Sequence, residues 1–230
     1  MNVPNISARL LAVAELTREG SFVADVGTDH AYLPIYLCAK GKIRGAVASD
    51  INRGPLDRAE INVKEYALED KVALCLTNGL DGIDIYAPDD ILICGMGGEL
   101  IAEIINKAEW TKNKNIRLIL QPMTHAEKLR GFLLSSGYTI VDETLVREDK
   151  IYQIICAEYS AEKENYSEIE LIFGRHNINR NTEELREYAE YVKSVFSTRY
   201  KGKVGAGIDA YYEADIISAI DDLLKRENDL

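Results

Sequence analysis

The chain has 230 residues, 47% of them hydrophobic and 28% charged, with a formal net charge of −11. That length holds one ordinary domain with an appendage, or two small ones, and is long enough to bury a core. The charge argues against a protein that coats nucleic acid non-specifically. No run of about 18 apolar residues marks a membrane span, and Met1-Asn2-Val3-Pro4-Asn5 lacks the pattern of a signal peptide, so the cytoplasm is the expected compartment.

Residues Ile6–Thr17 place Ile6, Leu10, Val13, Ala14 and Leu16 on one helical face. Strands and helices then alternate: strand Phe22–Val26, helix Tyr32–Lys40, strand Ala46–Ser49, and a helix opening at Gly54-Pro55 and running to Tyr66. Proline sits there near the first turn, where its missing N–H costs least. Strands follow at Val72–Leu76 and, after Pro88-Asp89-Asp90, at Ile91–Cys94, then helix Glu99–Ala108, strand Arg117–Leu120 and helix Ala126–Ser135, closed by Gly137. Tyr138–Glu148 and Ile151–Tyr159 are rich in β-branched and aromatic residues with a short break between them, which predicts a hairpin. Beyond the polar break Glu162-Lys163-Glu164-Asn165, helical spacing recurs twice. One run holds Leu185, Tyr188, Ala189, Val192, Val195 and Phe196; the other holds Tyr212, Ile216, Ala219, Ile220, Leu223 and Leu224. A loop with Gly202, Gly205 and Gly207 is expected to join them into an antiparallel, coiled-coil-like helical hairpin.

The expected fold class is therefore α/β: a seven-stranded, mostly parallel sheet covered on both faces, with one antiparallel strand from the terminal hairpin. Residues 1–160 form the α/β domain and 161–230 the helical one. This plan resembles the class I, Rossmann-like methyltransferases that depend on S-adenosylmethionine.

Polar residues gather at the strand ends, which converge on one edge of such a sheet. Strand one delivers Asp25, Gly27, Asp29 and His30; strand two Asp50; strand three Asn78-Gly79; strand four Gly95-Met96-Gly97-Gly98; strand five Gln121-Pro122. Gly27 permits close backbone approach. Asp50 lies 23 residues after Gly27, where a carboxylate can accept both ribose hydroxyls. Asn78 offers a donor and an acceptor to an adenine edge. Asp25 or Asp29 can neutralise an ammonium group. Acids at the strand tips suit S-adenosyl-L-methionine, which has no phosphate, better than a pyrophosphate. Simpler duties stay open for each: Asp29 as a helix cap, Asn78-Gly79 as a turn, Gly95–Gly98 as a tight connection, Gln121-Pro122 as a strand end, His30 as a packed or solvated ring.

Cys38, Cys75, Cys94 and Cys156 match no zinc spacing and sit in apolar segments, so buried reduced thiols are expected; His30, His125 and His176 are too scattered for a metal site. From Leu171 to Lys203, Arg175, Arg180, Arg186, Lys193, Arg199, Lys201 and Lys203 face four acids, Glu183, Glu184, Glu187 and Glu190. Lys107, Lys112, Lys114 and Arg117 form a smaller cluster around Glu109. Either a solvated helix face or a set of phosphate contacts fits these runs.

Asp25-Val26-Gly27-Thr28-Asp29-His30-Ala31-Tyr32-Leu33-Pro34 resembles the signature of bacterial methyltransferases that modify N1 of adenine 22 in tRNA. Asn78-Gly79-Leu80, Gly95-Met96-Gly97-Gly98-Glu99-Leu100-Ile101, Leu118-Ile119-Leu120-Gln121-Pro122-Met123 and Tyr152-Gln153-Ile154-Ile155-Cys156-Ala157-Glu158 match as well. The likeness is strong over residues 5–160 and is one of type beyond. It implies methyl transfer from S-adenosylmethionine to tRNA. Asp25, Gly27, Asp29, His30, Asp50, Asn78, Gly79, Gly95 and Met96 would bind the cofactor, Gly97, Gly98 and Gln121 the substrate. Asp29 is the candidate catalytic residue, orienting the adenine. No metal or membrane is implied, and a monomer is compatible. The chain departs from the family at Asn78, where Asp is frequent, and at Met123, where Asn is frequent. Three other readings compete. An NAD-dependent oxidoreductase would need second and third glycines in Gly27-Thr28-Asp29-His30-Ala31-Tyr32, which are absent. A cofactor-binding module without catalysis, or a methyltransferase for another RNA or a small molecule, would keep the same strand ends.

Overall fold

The computed structural model describes residues 3–225; Met1 and Asn2, part of the N-terminal stretch read above, and residues 226–230, the end of the expected helical unit, lie outside the described residues. The elements in chain order are α1 (Ala8–Leu16), β1 (Phe22–Val26), α2 (Tyr32–Ala39), β2 (Gly45–Asp50), α3 (Arg53–Glu65), β3 (Val72–Leu76), β4 (Asp90–Gly97), α4 (Gly98–Lys107), β5 (Arg117–Thr124), α5 (Ala126–Ser135), β6 (Tyr138–Arg147), β7 (Ile151–Tyr159), α6 (Glu168–Phe173), α7 (Arg175–Arg180), α8 (Glu183–Gly205) and α9 (Tyr211–Lys225).

One seven-stranded sheet runs in the order β3-β2-β1-β4-β5-β7-β6. All pairings are parallel except those of β7, which lies antiparallel to both β5 and β6. The central strands read as unbroken apolar runs because both faces are covered. Val23, Ala46, Ala48, Leu92 and Ile119 pack with α1, α2 and α3 on one face, while Ala24, Val47, Ile91, Ile93, Leu118 and Leu120 pack with α4 and α5 on the other. The strand order reverses between β1 and β4, the switch point at which open α/β sheets bind ligands beyond the strands' carboxyl ends.

The opposite ends of these strands are tied by ions. Fully buried Asp90 accepts from the Arg18 side chain (2.6 Å) and from the Arg18 backbone N–H (2.7 Å). Asp89 accepts from Phe22 N–H (2.7 Å) and pairs with Arg44.

The third apolar cluster is helical and includes Phe173, Leu185, Ala189, Phe196, Ile216 and Ile220. α8 and α9 run antiparallel, clipped by Lys193–Asp221 (2.5 Å) and Lys203–Glu213 (2.8 Å). Three details differ from the sequence reading. Gly202 and Gly205 lie inside α8, so the connection shortens to residues 206–210. The short helices α6 and α7 were not anticipated; a capping box between Ser167 and Glu170 starts α6, and Gly174 (φ +87°) separates the two. Cys38 and Cys156 are buried as expected, but Cys75 and Cys94 are only partly so, because β3 is an edge strand and Cys94 ends the buried part of β4.

Candidate active site

β1 ends in Val26, and the chain then turns through Gly27 at φ +74°, with Gly27 and Thr28 both donating to the Ser49 carbonyl (2.8 and 2.9 Å). His30 and Ala31 follow with φ of +65° and +55°, two successive left-handed residues that are not glycine. Such backbone persists only where its surroundings hold it. Here Asn62 of α3 donates to the His30 carbonyl (2.8 Å), and Arg58 of α3 pairs with Asp29 (3.5 Å). The His30 ring stacks on Tyr32 (5.3 Å, 16°) and lies 3.2 Å from the Asp29 carboxylate. α2 has Ala31 as its N-cap with no side-chain cap, so Asp29 does not cap the helix; its side chain is 74% exposed at the strand edge.

A cavity of about 160 Å³ opens beside this turn. Of the residues singled out in the sequence, Gly27, Asp50, Asn78, Gly79 and Met96 line it together. Asp50 is held by accepting from Asn52 N–H (2.7 Å). Asn78 also does turn duty, its carbonyl accepting from Asp81 N–H (3.2 Å), and Gly79 has φ +59°. Gly27 sits against the Met96 methyl, and its φ of +74° is one that side chains rarely adopt, so glycine suits this turn beside β4. Ile51, Leu100 and Ile104 also line the cavity and were not anticipated as site residues. Ile51 and Leu100 are exposed, an arrangement suited to clamping a flat apolar ring.

Asp25 does not line that cavity. It is buried in β1, with its carboxyl pushed up to about 6, first by burial and then by the Asp50 charge, while the Thr28 hydroxyl pulls the other way.

Gly95 (φ +81°) sits at a break in register between β4 and β5, between Cys94 and Met96, where the chain bulges. Its N–H donates to Gln121 Oε1 (3.2 Å). Gln121, expected to face substrate, is fully buried: Oε1 also accepts from Arg9, and Nε2 donates to the Pro122 carbonyl (2.9 Å) and contacts Met123 Sδ (3.6 Å). It therefore supports the Gly95 bulge from below. Gly98 is buried at the start of α4, where an added Cβ would run into the His125 carbonyl, so its small size serves packing. Gly97 stands at the α4 N-cap, paired in register with Thr124.

Arg9 is the functional candidate that the sequence reading missed. It comes from α1, far from any strand end, and gives no motif. Its guanidinium bonds Gln121, lies 5.3 Å from the centre of the Tyr152 ring, and flanks Gly95. The Cys94 thiol is pushed up by burial foremost and by Asp25, and pulled down by Arg9. Among the described residues no cluster of His, Cys, Asp and Glu could hold a metal, and no helix is long and apolar enough to cross a membrane.

The basic residues of the C-terminal unit largely meet acids within the fold. Arg175 pairs with Glu164 (3.1 Å) and Glu170 (2.6 Å), and Arg180 with Asp142 (2.5 Å), besides the Lys193 and Lys203 pairs. In the smaller cluster Lys107, Lys112 and Arg117 pair with Glu103, Glu109 and Glu158.

Residues 6–155 match a family model described as a methyltransferase domain. A tRNA (adenine(22)-N(1))-methyltransferase of Bacillus subtilis (strain 168) is 38% identical over 175 residues, covering 76% of this chain and 74% of that protein. Among solved structures, a Streptococcus pneumoniae protein in complex with S-adenosyl-L-methionine superposes with a TM-score of 0.86 at 31% identity, covering 96% of this chain and 100% of that one. An M. capricolum structure in complex with S-adenosyl-homocysteine has a TM-score of 0.77 at 30% identity, covering 96% of both chains.

Proposed function

This chain belongs to the family of tRNA (adenine-22-N1)-methyltransferases, and from that premise we propose that it moves a methyl group from S-adenosylmethionine to N1 of adenine 22 in tRNA. The observation that carries the reading is the convergence of Gly27, Asp50, Asn78-Gly79 and Met96, from four strand ends, on one cavity at the sheet's switch point. Residues 1–160 would carry the cofactor and 161–230 the helical unit that helps engage the RNA.

Bound S-adenosylmethionine supplies an electrophilic methyl on a positively charged sulfur. Each of its parts has a partner in the chain. Asp50 would accept the ribose hydroxyls, Asn78 would meet the adenine edge, and Ile51 and Leu100 would clamp the ring. The amino-acid end carries both charges, and the β4 end offers both: Asp25 for the ammonium and Arg9 for the carboxylate. Gly27 and Met96 would border the sulfur.

N1 of adenine has a free lone pair, and its methylated product remains cationic, so no side chain needs to take a proton. The catalytic duty is alignment and exclusion of water. Asp29, exposed on its strained turn, would orient the base through the exocyclic amino group. The glycines Gly95 and Gly97 leave room beside the methyl. N1 lies on the pairing edge, so a paired target must first be freed.

The test is transfer of labelled methyl to a tRNA transcript with adenine at position 22, mapped by mass spectrometry, beside a transcript with guanine there. Label confined to the adenine transcript supports the reading. Equal label in both overturns the site, and none in either overturns the activity.

A further inference from the structure

A second cavity, of about 470 Å³, lies on the other side of the Met96–Gly97 segment. Its walls come from three places: Thr124 and His125 at the end of β5, Lys150 and Tyr152 of the β6–β7 hairpin, and Tyr188 and Tyr191 of α8. It shares no wall residue with the cofactor cavity. Yet it adjoins the same edge, because Met96 pairs in register with Pro122, and Gly97 with Thr124, both of them lining it.

Its outer wall is an aromatic tier. Tyr188 packs edge-on against Phe173 (5.6 Å, 81°), and its hydroxyl accepts from Gln153 Nε2 (3.0 Å). Gln153 is itself held by fully buried Arg130 (2.7 Å). Tyr191, one turn along α8, lies nearly parallel to Tyr188 (6.4 Å, 27°) yet is 63% exposed. A fixed ring thus backs a ring open to solvent. The three acids of the lining have partners: Asp149 accepts from the Tyr152 hydroxyl (2.9 Å), Glu187 pairs with Arg147 (2.5 Å), and Glu127 lies 3.2 Å from His125 Nδ1. Lys150 holds an ammonium 5.0 Å from the centre of the Tyr152 ring.

We propose that this cavity is a subsite for the unpaired nucleobase next to the target adenine, stacked on Tyr191. The proposal rests on the tRNA-methylation reading. Freeing an adenine's pairing edge unstacks it from its neighbour, which loses one apolar face to water. A tyrosine ring on a rigid backing restores that face whatever the neighbour's identity, and Lys150 meets the intervening phosphate. The volume lies within the range of small-molecule pockets, about 300–1,000 Å³. Because Tyr188 and Tyr191 both belong to α8, the C-terminal unit takes part in reading the substrate at the catalytic edge.

The experiment compares Tyr191→Ala and Tyr191→Phe with the wild-type protein. Stacking of this kind is worth about tenfold in KM for tRNA, so Tyr191→Ala is expected to raise KM about tenfold while leaving S-adenosylmethionine affinity unchanged. Tyr191→Phe, which keeps the ring, is expected to behave as wild type. Transcripts carrying 2-aminopurine at each position flanking the target should show quenching at one of them with wild type and Tyr191→Phe, and little with Tyr191→Ala. A wild-type KM in Tyr191→Ala, a Phe variant as impaired as Ala, or no quenching by wild type at either position overturns the subsite. Quenching without any methyl transfer by the wild-type protein overturns the methylation reading and leaves the subsite standing.

Discussion

Arg130 links the two parts of the chain, and Arg130→Met is the perturbation that most sharply tests how they are joined. The side chain of Arg130 and that of Glu143 are both fully buried, with Nε donating to Glu143 at 2.6 Å. Nη1 donates to the Leu171 and Ile172 carbonyls (2.8 and 3.3 Å) of α6, and Nη2 to Gln153 (2.7 Å), which in turn holds Tyr188. Methionine would keep the aliphatic stem and remove every one of these bonds. Glu143 would remain buried with the His176 N–H (3.3 Å) beside it. Breaking a buried pair from one side costs about 3–5 kcal/mol, a large share of the roughly 5–15 kcal/mol that holds a domain folded. The double variant Arg130→Met, Glu143→Leu removes the stranded charge and is expected to recover at least about 2 kcal/mol of that loss. Equilibrium urea unfolding measures both, and hydrogen exchange reports whether α6–α8 loosen first in the single variant. A single variant within about 1 kcal/mol of wild type, or a double variant less stable than the single, would refute the idea that this network fastens the helical unit to the sheet.

Asp50→Ala removes the carboxylate assigned to the ribose; hydrogen bonds to a charged group are worth about 1.5–3 kcal/mol, so calorimetry should show S-adenosylmethionine binding weakened roughly 10- to 150-fold. Asp29→Ala should lower kcat on tRNA, and full turnover with unchanged tRNA affinity would remove Asp29 from the reaction. The Asp25 carboxyl is raised from 3.8 to about 6. Its contribution to stability is therefore complete below about pH 4 and is lost as pH rises through about 6. Asp25→Asn, which cannot ionise, should gain on the wild type by up to about 3 kcal/mol between those limits, read from paired urea titrations at about pH 4 and 7. Cofactor affinity of the wild type should fall below about pH 6, as the ammonium loses its ionised partner; a flat profile would contradict that pairing.

The sheet was legible because its strands are short apolar runs ending in Asp, Asn or Gly, a pattern that buried parallel strands impose on any sequence. Strand β4 is longer than its apolar part, since pairing continues through the Gly95 bulge, and glycines carry no periodic signal. Gly202 and Gly205 looked like loop residues, yet α8 runs through them despite their low helix propensity, with Lys203 between them paired to Glu213 of α9. α6 and α7 are six residues each, too short to show a period. At the site, the polar and glycine residues at the strand ends could be named in advance, whereas the apolar Ile51 just after β2 could not. Arg9, Tyr188 and Tyr191 could not, because tertiary packing brings them to the edge from helices at the two ends of the chain. The basic run from Arg175 to Lys203 suggested phosphate contacts, but sequence does not show that Asp142, Glu164, Glu170, Glu213 and Asp221 fold back to meet it.

The most direct measurement replaces adenine 22 of a tRNA transcript with 1-deazaadenine, which keeps the ring and the amino group but lacks N1. With labelled S-adenosylmethionine, the unmodified transcript should acquire one methyl, mapped to N1 of residue 22, and the deaza transcript should acquire none while still competing for binding. Equal methylation of the deaza transcript would contradict transfer to N1.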